Sequence, residues 1–366
     1  MRDRGRRAPA PPDLVARAGA IAGLALLLLV SAAGGEHAGR QGFGTITRAG
    51  AGQSAVHVTT LADDGPGSLR AAVSAGDRMV VFDVAGDIAL SSAIVVRGAF
   101  VTIDGLSAPP PGITLHGHGL IVRGDRGAHD VLIRGLRVRD AADDGVQVAY
   151  GASNIVLEHL SVHGSGDGNI DITEGAHDVT VAWSVLAEPQ GEGKNMLVKY
   201  RVARVSLHHN LLTAPQRNPQ VRFDDAGTPG DLLTADIRNN VIADWGPGSG
   251  TRIWYGARAN VVANAYLSPG SSPSARRKAL LLCRGACEAG HPSFAMVYVQ
   301  RNVSDAGDWD VNAVGNRPQP FEAAPVDTDP PCTAARAVLA AAGVRPLDDI
   351  DRRIVGRVRL GPCARH

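Results

Sequence analysis

Aromatic residues make up only 4% of the 366-residue chain, and lysine occurs only as Lys194, Lys199 and Lys278, against 34 arginines. That bias says little about function by itself, but it makes the position of each lysine informative. Excess charge is also missing. The formal net charge is +1, and loss of residues 1–33, which hold five Arg and two Asp, would bring it to −2. A nucleic-acid partner that needs a basic field is therefore disfavoured. The apolar run from Ala18 to Val30 has too few strongly apolar residues for a comfortable membrane span. Preceded by Arg2, Arg4, Arg6, Arg7 and Arg17 and followed by Ser31-Ala32-Ala33, it reads as an export signal over residues 1–33, with an uncleaved anchor as the alternative. A secreted, extracellular protein is expected.

Cysteine is confined to Cys283, Cys287, Cys332 and Cys363. In an exported chain an even count suggests disulfides, here with three possible connectivities. No matching Cys/His pair accompanies Cys283 and Cys287, so a tight disulfide loop plus a tail staple is preferred to metal ligation. Glycine, by contrast, is abundant, at 44 residues. Together with many short aliphatic runs it favours an all-β fold.

The short runs repeat. VTIDGL (from Val101), VLIRGL (Val131), IVLEHL (Ile155), VTVAWS (Val179), VSLHHN (Val205), ADIRNN (Ala235), ANVVAN (Ala259) and VYVQRN (Val297) share an aliphatic third position. Several spacings are 24 to 30 residues, the range of a solenoid. The sixth position runs Leu106, Leu136, Leu160, Ser184, Asn210, Asn240, Asn264, Asn302. A polar residue in register with core positions must have its hydrogen bonds satisfied, and stacked asparagines in parallel coils satisfy one another. The expected fold is a parallel β-helix over residues 41–305. A second strand series, GVQVAY, NIDIT, MLVKY, QVRF and RIWYG, follows one coil apart. Residues 306–366 read as a Pro-rich linker and a tail whose helix, TAARAVLAAAG (333–343), ends at Gly343 and covers an end or side of the solenoid.

Four successive coils place ionisable residues beside the second series: Asp144, then Asp167 and Asp171, then Lys194, then Arg217 and Arg222. Parallel strands stand about 4.8 Å apart, so one Ca²⁺, with oxygen ligands at about 2.3–2.6 Å, could bridge neighbouring coils. A metal site beside a cationic site suits a polyuronate, which carries a carboxylate on every sugar. Neutralising that carboxylate eases removal of the adjacent C5 proton and β-elimination at C4–O. Taken singly, each Asp is more often a turn residue and Lys194 a solvated charge. His159, His163, His208 and His209 read equally as packed residues. The register across four coils is what raises the set above these bland readings.

Residues 41–360 resemble the pectate lyase family of right-handed parallel β-helix enzymes. The resemblance rests on GFGTITRAG (42–50), GPGSLRAAV (65–73), VLIRGLRVRD (131–140), DGVQV (144–148), IVLEHLSV (155–162), DGNIDIT (167–173), GKNMLV (193–198), LHHNLLTAPQRNPQVR (207–222) and IRNNVIADWG (237–246), in that order. It implies Ca²⁺ ligation by Asp144, Asp167 and Asp171, a substrate carboxylate at Lys194, the family's proposed base at Arg217, and substrate binding by Arg222. It also implies a monomer acting on polygalacturonate. The sequence departs from the family pattern at Glu158-His159, at Asn218-Pro219-Gln220, at Val162-His163-Gly164, and at Ala142, where some members carry another acidic ligand. Two rivals are a β-helix glycoside hydrolase, which needs a paired acid and base, and a non-catalytic surface β-helix that binds polysaccharide.

Overall fold

The computed structural model describes Met1 and residues 39–223, 232–283, 294–307 and 309–364. The export-type segment, Met1 apart, and Cys287 lie outside the described residues. No helix among the described residues is long and apolar enough to cross a membrane.

Among the described residues the chain winds into three parallel sheets of ten, eight and nine strands. Each coil gives one strand to each sheet in turn, which makes a parallel β-helix. The first strand series forms the ten-stranded sheet, with Val101–Asp104, His129–Arg134, Ser153–Glu158, His177–Ala182, Ala203–His208, Ala235–Arg238, Arg258–Val262 and Met296–Gln300 stacked in that order. The second series forms the eight-stranded sheet, in the order Ile94–Val96, Leu120–Arg123, Val146–Ala149, Ile170–Ile172, Met196–Val198, Gln220–Arg222, Thr251–Trp254, Leu280–Leu282. The nine-stranded sheet was not anticipated. Its strands, such as Val185–Ala187 and Leu211–Thr213, are buried on both faces and so show no alternation in the sequence.

Alternation places one residue of each pair inside. Ile155, Leu157, Val146, Val148, Ile170, Ile172, Leu186 and Leu212 are all essentially inaccessible and belong to one continuous core. In the nine-stranded sheet the outward set is buried as well. Val185, Leu211, Val241 and Leu267 pack against Ala335, Val338 and Ile354 of the tail. That explains strands that are apolar on both faces, such as LLT at 211–213. The tail helix runs Pro331–Ala341, and Gly343 follows at φ +82°, a conformation that costs glycine little. A methyl at Gly343 would meet Ser161 Oγ at 2.8 Å, so the chain can press onto the sheet there only because the residue has no side chain. Cys332–Cys363 staples the tail. Cys283 is also disulfide-bonded.

The expected asparagine ladder is present. Asn210, Asn240 and Asn264 each donate through Nδ2 to the next amide oxygen along the stack, at 3.0, 3.0 and 2.9 Å, ending on Asn302. Each amide oxygen also accepts the backbone N–H of the preceding ladder residue, beginning with Ser184. The residue before each ladder position turns the corner with positive φ, as His159, Trp183, His209, Asn239, Ala263 and Arg301 do. Trp183 stacks between His159 and His209, at 6.3 and 4.4 Å. These histidines are therefore packing residues of a turn column. Burial holds His208 and His209 down to about 4.

Candidate functional site

A second, shorter ladder organises the corner that leads into the eight-stranded sheet. Asn169 Nδ2 donates to Asn195 Oδ1 at 2.8 Å, Asn195 Nδ2 to Asn218 Oδ1 at 2.7 Å, and Asn218 Nδ2 to the Ala214 carbonyl. All three residues are fully buried. The residue before each one is Gly168, Lys194 and Arg217, so three buried amides fix the places from which the site residues project. Arg217 has φ +61° and precedes a cis Asn218–Pro219 peptide. Holding a non-glycine residue there costs about 1 kcal/mol or more. A rigid proline between Arg217 and Arg222 therefore belongs to a corner in which Arg217 stands at the turn and Arg222 on the strand.

Asp143, Asp144 and Asp167 bring carboxylate oxygens within 4.8 Å of one another. The pairing of Val146 with Ile170, extended backwards, sets Asp143 opposite Asp167 and Asp144 opposite Gly168. Asp144 Oδ1 accepts the Gly168 N–H at 3.0 Å, and its Oδ2 accepts from Gln147 Nε2 at 3.1 Å. Asp171 lies next to this group on the sheet, 8% exposed and paired in register with Gln147 and Leu197. A Cβ placed on Gly168 would lie 2.6 Å from Asp171 Oδ1 and 3.1 Å from Asp144 Oδ1. The glycine is thus the gap that lets the two carboxylates face each other.

The electrostatics reflect this crowding. Burial first, then the charges of Asp143 and Asp167, push Asp144 up to about 6, partly offset by the two hydrogen bonds it accepts. Burial, then Asp144 and Asp167, raise Asp171 well above the usual carboxylate range, while Arg217 pulls it back. Lys194 Nζ donates to Asp167 Oδ1 at 3.1 Å and lies 3.3 Å from Glu192. The hydrogen bond to Asp167 is the main reason Lys194 holds its proton more tightly than usual. Hard, crowded carboxylate oxygens suit Ca²⁺, and a divalent cation would offset the burial and mutual repulsion that raise Asp144 and Asp171. The donor set fits that ion.

On the next coil, Arg217 Nε is buried without a hydrogen-bond partner among the described residues, and its charge reaches both Asp171 and Lys194. The Arg222 guanidinium lies over the Tyr255 ring at 4.3 Å, which orients its plane. The six residues singled out from the sequence therefore stand on consecutive coils of one sheet. Three further residues were not singled out: Asp143, Gly168 and Gln147. Asp143 had a signal, since the repeat register alone sets it opposite Asp167. The proximity created by Gly168 had none.

No family model matches the chain. In sequence, it is 36% identical over 218 residues to a probable pectate lyase C of Emericella nidulans, covering 58% of this chain and 48% of that protein. It is 33% identical over 247 residues to a probable pectate lyase C of Aspergillus terreus, covering 65% and 55%. The chain thus spans about half the length of the curated relatives it matches. In structure, it is similar to jun a 1, the major cedar pollen allergen (TM-score 0.65, 20% identity, 83% of this chain and 92% of that one). It is also similar to a pectate lyase from Bacillus sp. N165 in complex with trigalacturonate (TM-score 0.57, 17% identity, 84% and 99%). These findings bear out the resemblance read from the sequence.

Proposed function

We propose that this chain, whose sequence relatives are described as probable pectate lyase C and whose fold neighbours include a pectate lyase, is a secreted polysaccharide lyase. It cleaves polygalacturonate by Ca²⁺-assisted β-elimination. The observation that carries the reading is the order along one sheet: an acidic cluster, then Lys194, then Arg217 and Arg222, one coil after another. Asp144, Asp167 and Asp171, joined by Asp143, would hold the ion. When bound, Ca²⁺ would neutralise a sugar carboxylate and so acidify the adjacent C5–H.

Lys194 binds the carboxylate of the reacting sugar as a point charge, and Arg222 binds a neighbouring carboxylate through its planar fork. Arg217, the base that the family resemblance implies, takes the C5 proton in its neutral guanidine form, which the neighbouring positive charge and bound substrate would have to favour over the usual guanidinium. The C5–H electron pair becomes the C4=C5 double bond as the C4–O bond breaks, and the departing oxygen picks up a proton from solvent water. Side chains fixed by an amide ladder need little reorganisation as charge grows on the carboxylate.

The glycoside hydrolase reading needs two carboxyl groups about 5–5.5 or 6.5–9.5 Å apart with separate roles. Oxygens of Asp143, Asp144 and Asp167 gathered within 4.8 Å suit a shared cation better. The test is to incubate the chain with polygalacturonate, methylated pectin and alginate, with and without added Ca²⁺. Lyase action gives an unsaturated, ultraviolet-absorbing product on polygalacturonate, abolished by chelation and by Arg217→Ala. Reducing ends without that absorbance would indicate hydrolysis, and binding without turnover would indicate a non-catalytic β-helix.

A further inference from the structure

Away from the eight-stranded sheet, the corner that leads into the ten-stranded sheet carries its own column of outward residues. Asp77, Phe100, Asp130, Asn154, Asp178 and Arg204 stack one coil apart, all with φ between +53° and +56°. Asp and Asn tolerate this left-handed conformation well. Phenylalanine adopts it less readily, and Phe100, still 38% exposed, gains only an edge-on contact with His129 in return. A residue that breaks the local rule for so small a packing gain points to function.

Phe100 lines a cavity of about 530 Å³ with Gln53, Asp77, Asp130, Asn154 and the exposed Ile46, inside the roughly 300–1,000 Å³ range of small-ligand sites. One wall is the 42–50 segment, which lies against the sheet so closely that a Cβ on Gly50 would sit 2.0 Å from the Arg78 carbonyl. The polar groups of the cavity are only loosely engaged with one another. Gln53 Nε2 is 3.5 Å from Asp77, and Asn154 Nδ2 is 3.4 and 3.5 Å from the two Asp130 oxygens, the long limit of a hydrogen bond. His129 holds Asp130 at 2.7 Å and meets the Phe100 ring edge-on at 5.5 Å.

We propose that this cavity is a second carbohydrate site, which takes a neutral sugar. An aromatic ring beside planar carboxylate and amide groups matches a pyranose or furanose, whose C–H face stacks on the ring while paired hydroxyls bridge Asp and Asn. The lining carries two carboxylates, Asp77 and Asp130, against one cation, Arg48, so its net negative charge disfavours a uronate and separates this specificity from that of the acidic-and-basic sheet. The inference does not depend on the lyase reading.

The test is binding of β-1,4-galactotriose, α-1,5-arabinotriose and trigalacturonate to the full chain, followed by saturation-transfer NMR and calorimetry, with Phe100→Ala and Phe100→Asn. At least one neutral trisaccharide should bind and weaken about tenfold or more in both variants, while trigalacturonate binding stays unchanged. Phe100→Asn should melt at or above the parent temperature, because asparagine relieves the left-handed strain. No neutral sugar bound, neutral binding that survives Phe100→Asn, or a lower melting temperature for Phe100→Asn would each overturn the proposal. The last would show the ring to be a core residue.

Discussion

Gly168→Ala tests the proposed metal site without removing a charge. The glycine has no positive φ, so its backbone accepts alanine. The new methyl, however, would sit 2.6 Å from Asp171 Oδ1 and 3.1 Å from Asp144 Oδ1, where real Cβ contacts essentially never fall below 3.0 Å. The Asp171 oxygen must therefore retreat by about 0.4 Å or more, twice the roughly 0.2 Å tolerance of a metal–ligand distance. Asp171 is 8% exposed and has little room to make that move while keeping its aim. Disturbing the support of a ligand typically costs about 10–100-fold in metal affinity, or roughly 1.4–2.8 kcal/mol. Calorimetric titration of Ca²⁺ into the metal-free chain reads this directly. The melting temperature should hardly move, because the clash falls on side-chain ends rather than on backbone. Gly356→Ala, where a methyl meets nothing within 4 Å, is the control. Ca²⁺ affinity in Gly168→Ala within about twofold of the parent would refute the assignment of Asp144 and Asp171 to one ion.

Asn240→Leu should destabilise the fold by roughly 3–5 kcal/mol in chemical denaturation, since the buried Asn210 N–H and Leu207 carbonyl lose their Asn240 partners at about 1–3 kcal/mol each and the ladder is cut; a loss below about 1 kcal/mol would contradict the ladder's role. Replacing Cys332 and Cys363 by alanine opens a link across 31 residues, worth about 3.5 kcal/mol by loop entropy, and should speed proteolysis of the tail; tail cleavage at the parent rate would count against the staple. His208 and His209 are neutral in the fold, with values near 4 against 6.5 when unfolded, so the unfolded chain binds more protons between those limits. Their contribution is full above about pH 6.5 and falls by up to a few kcal/mol as the pH drops through 4. Asp144 and Asp171, both raised in the fold, act in the opposite sense, so the acid loss is best measured in an Asp144→Asn, Asp171→Asn background. Stability independent of pH over this range would remove the histidine argument.

The fold was legible because its periodic positions are also its constrained positions. The third repeat residue faces the core and the sixth must satisfy an amide, so both leave a pattern that survives substitution elsewhere. The second ladder was less visible. Asn169, Asn195 and Asn218 are bonded as tightly as the first set, but only three coils carry them, too short a run to stand out. The tail helix was readable from its composition and Gly343. The nine-stranded sheet was not, because three-residue strands buried on both faces show no alternation. At the site, charge and register brought out Asp144, Asp167, Asp171, Lys194, Arg217 and Arg222. Asp143 follows from the same register carried one residue further, opposite Asp167. Gly168 was invisible in principle, because a missing side chain signals nothing until the neighbours that need the space are placed.

The two ladders also show how a solenoid could hold the proposed site residues in place on so exposed a surface. A strand of three residues, such as Gln220–Arg222, fixes little alone, and Arg217 lies before it in a turn. What holds the turn is Asn218, buried and bonded to Asn195 on one side and to the Ala214 carbonyl on the other. Tyr266 and Thr251 extend the same network one coil further, with Tyr266 Oη donating to Thr251 Oγ1 and Thr251 Oγ1 to the Asn218 carbonyl. Position is thus set from inside, by amides that face the core, while charge is presented outside by their immediate neighbours. The two sets can then vary separately: a ladder residue changed to an apolar one should loosen the site without altering its charges, whereas Lys194 or Arg217 can be exchanged with the coil intact. Separating positioning from chemistry in this way requires a core that continues unbroken beneath the site, and the run Val148, Ile172, Val198, Val221, Ile253, each essentially inaccessible to solvent, provides it.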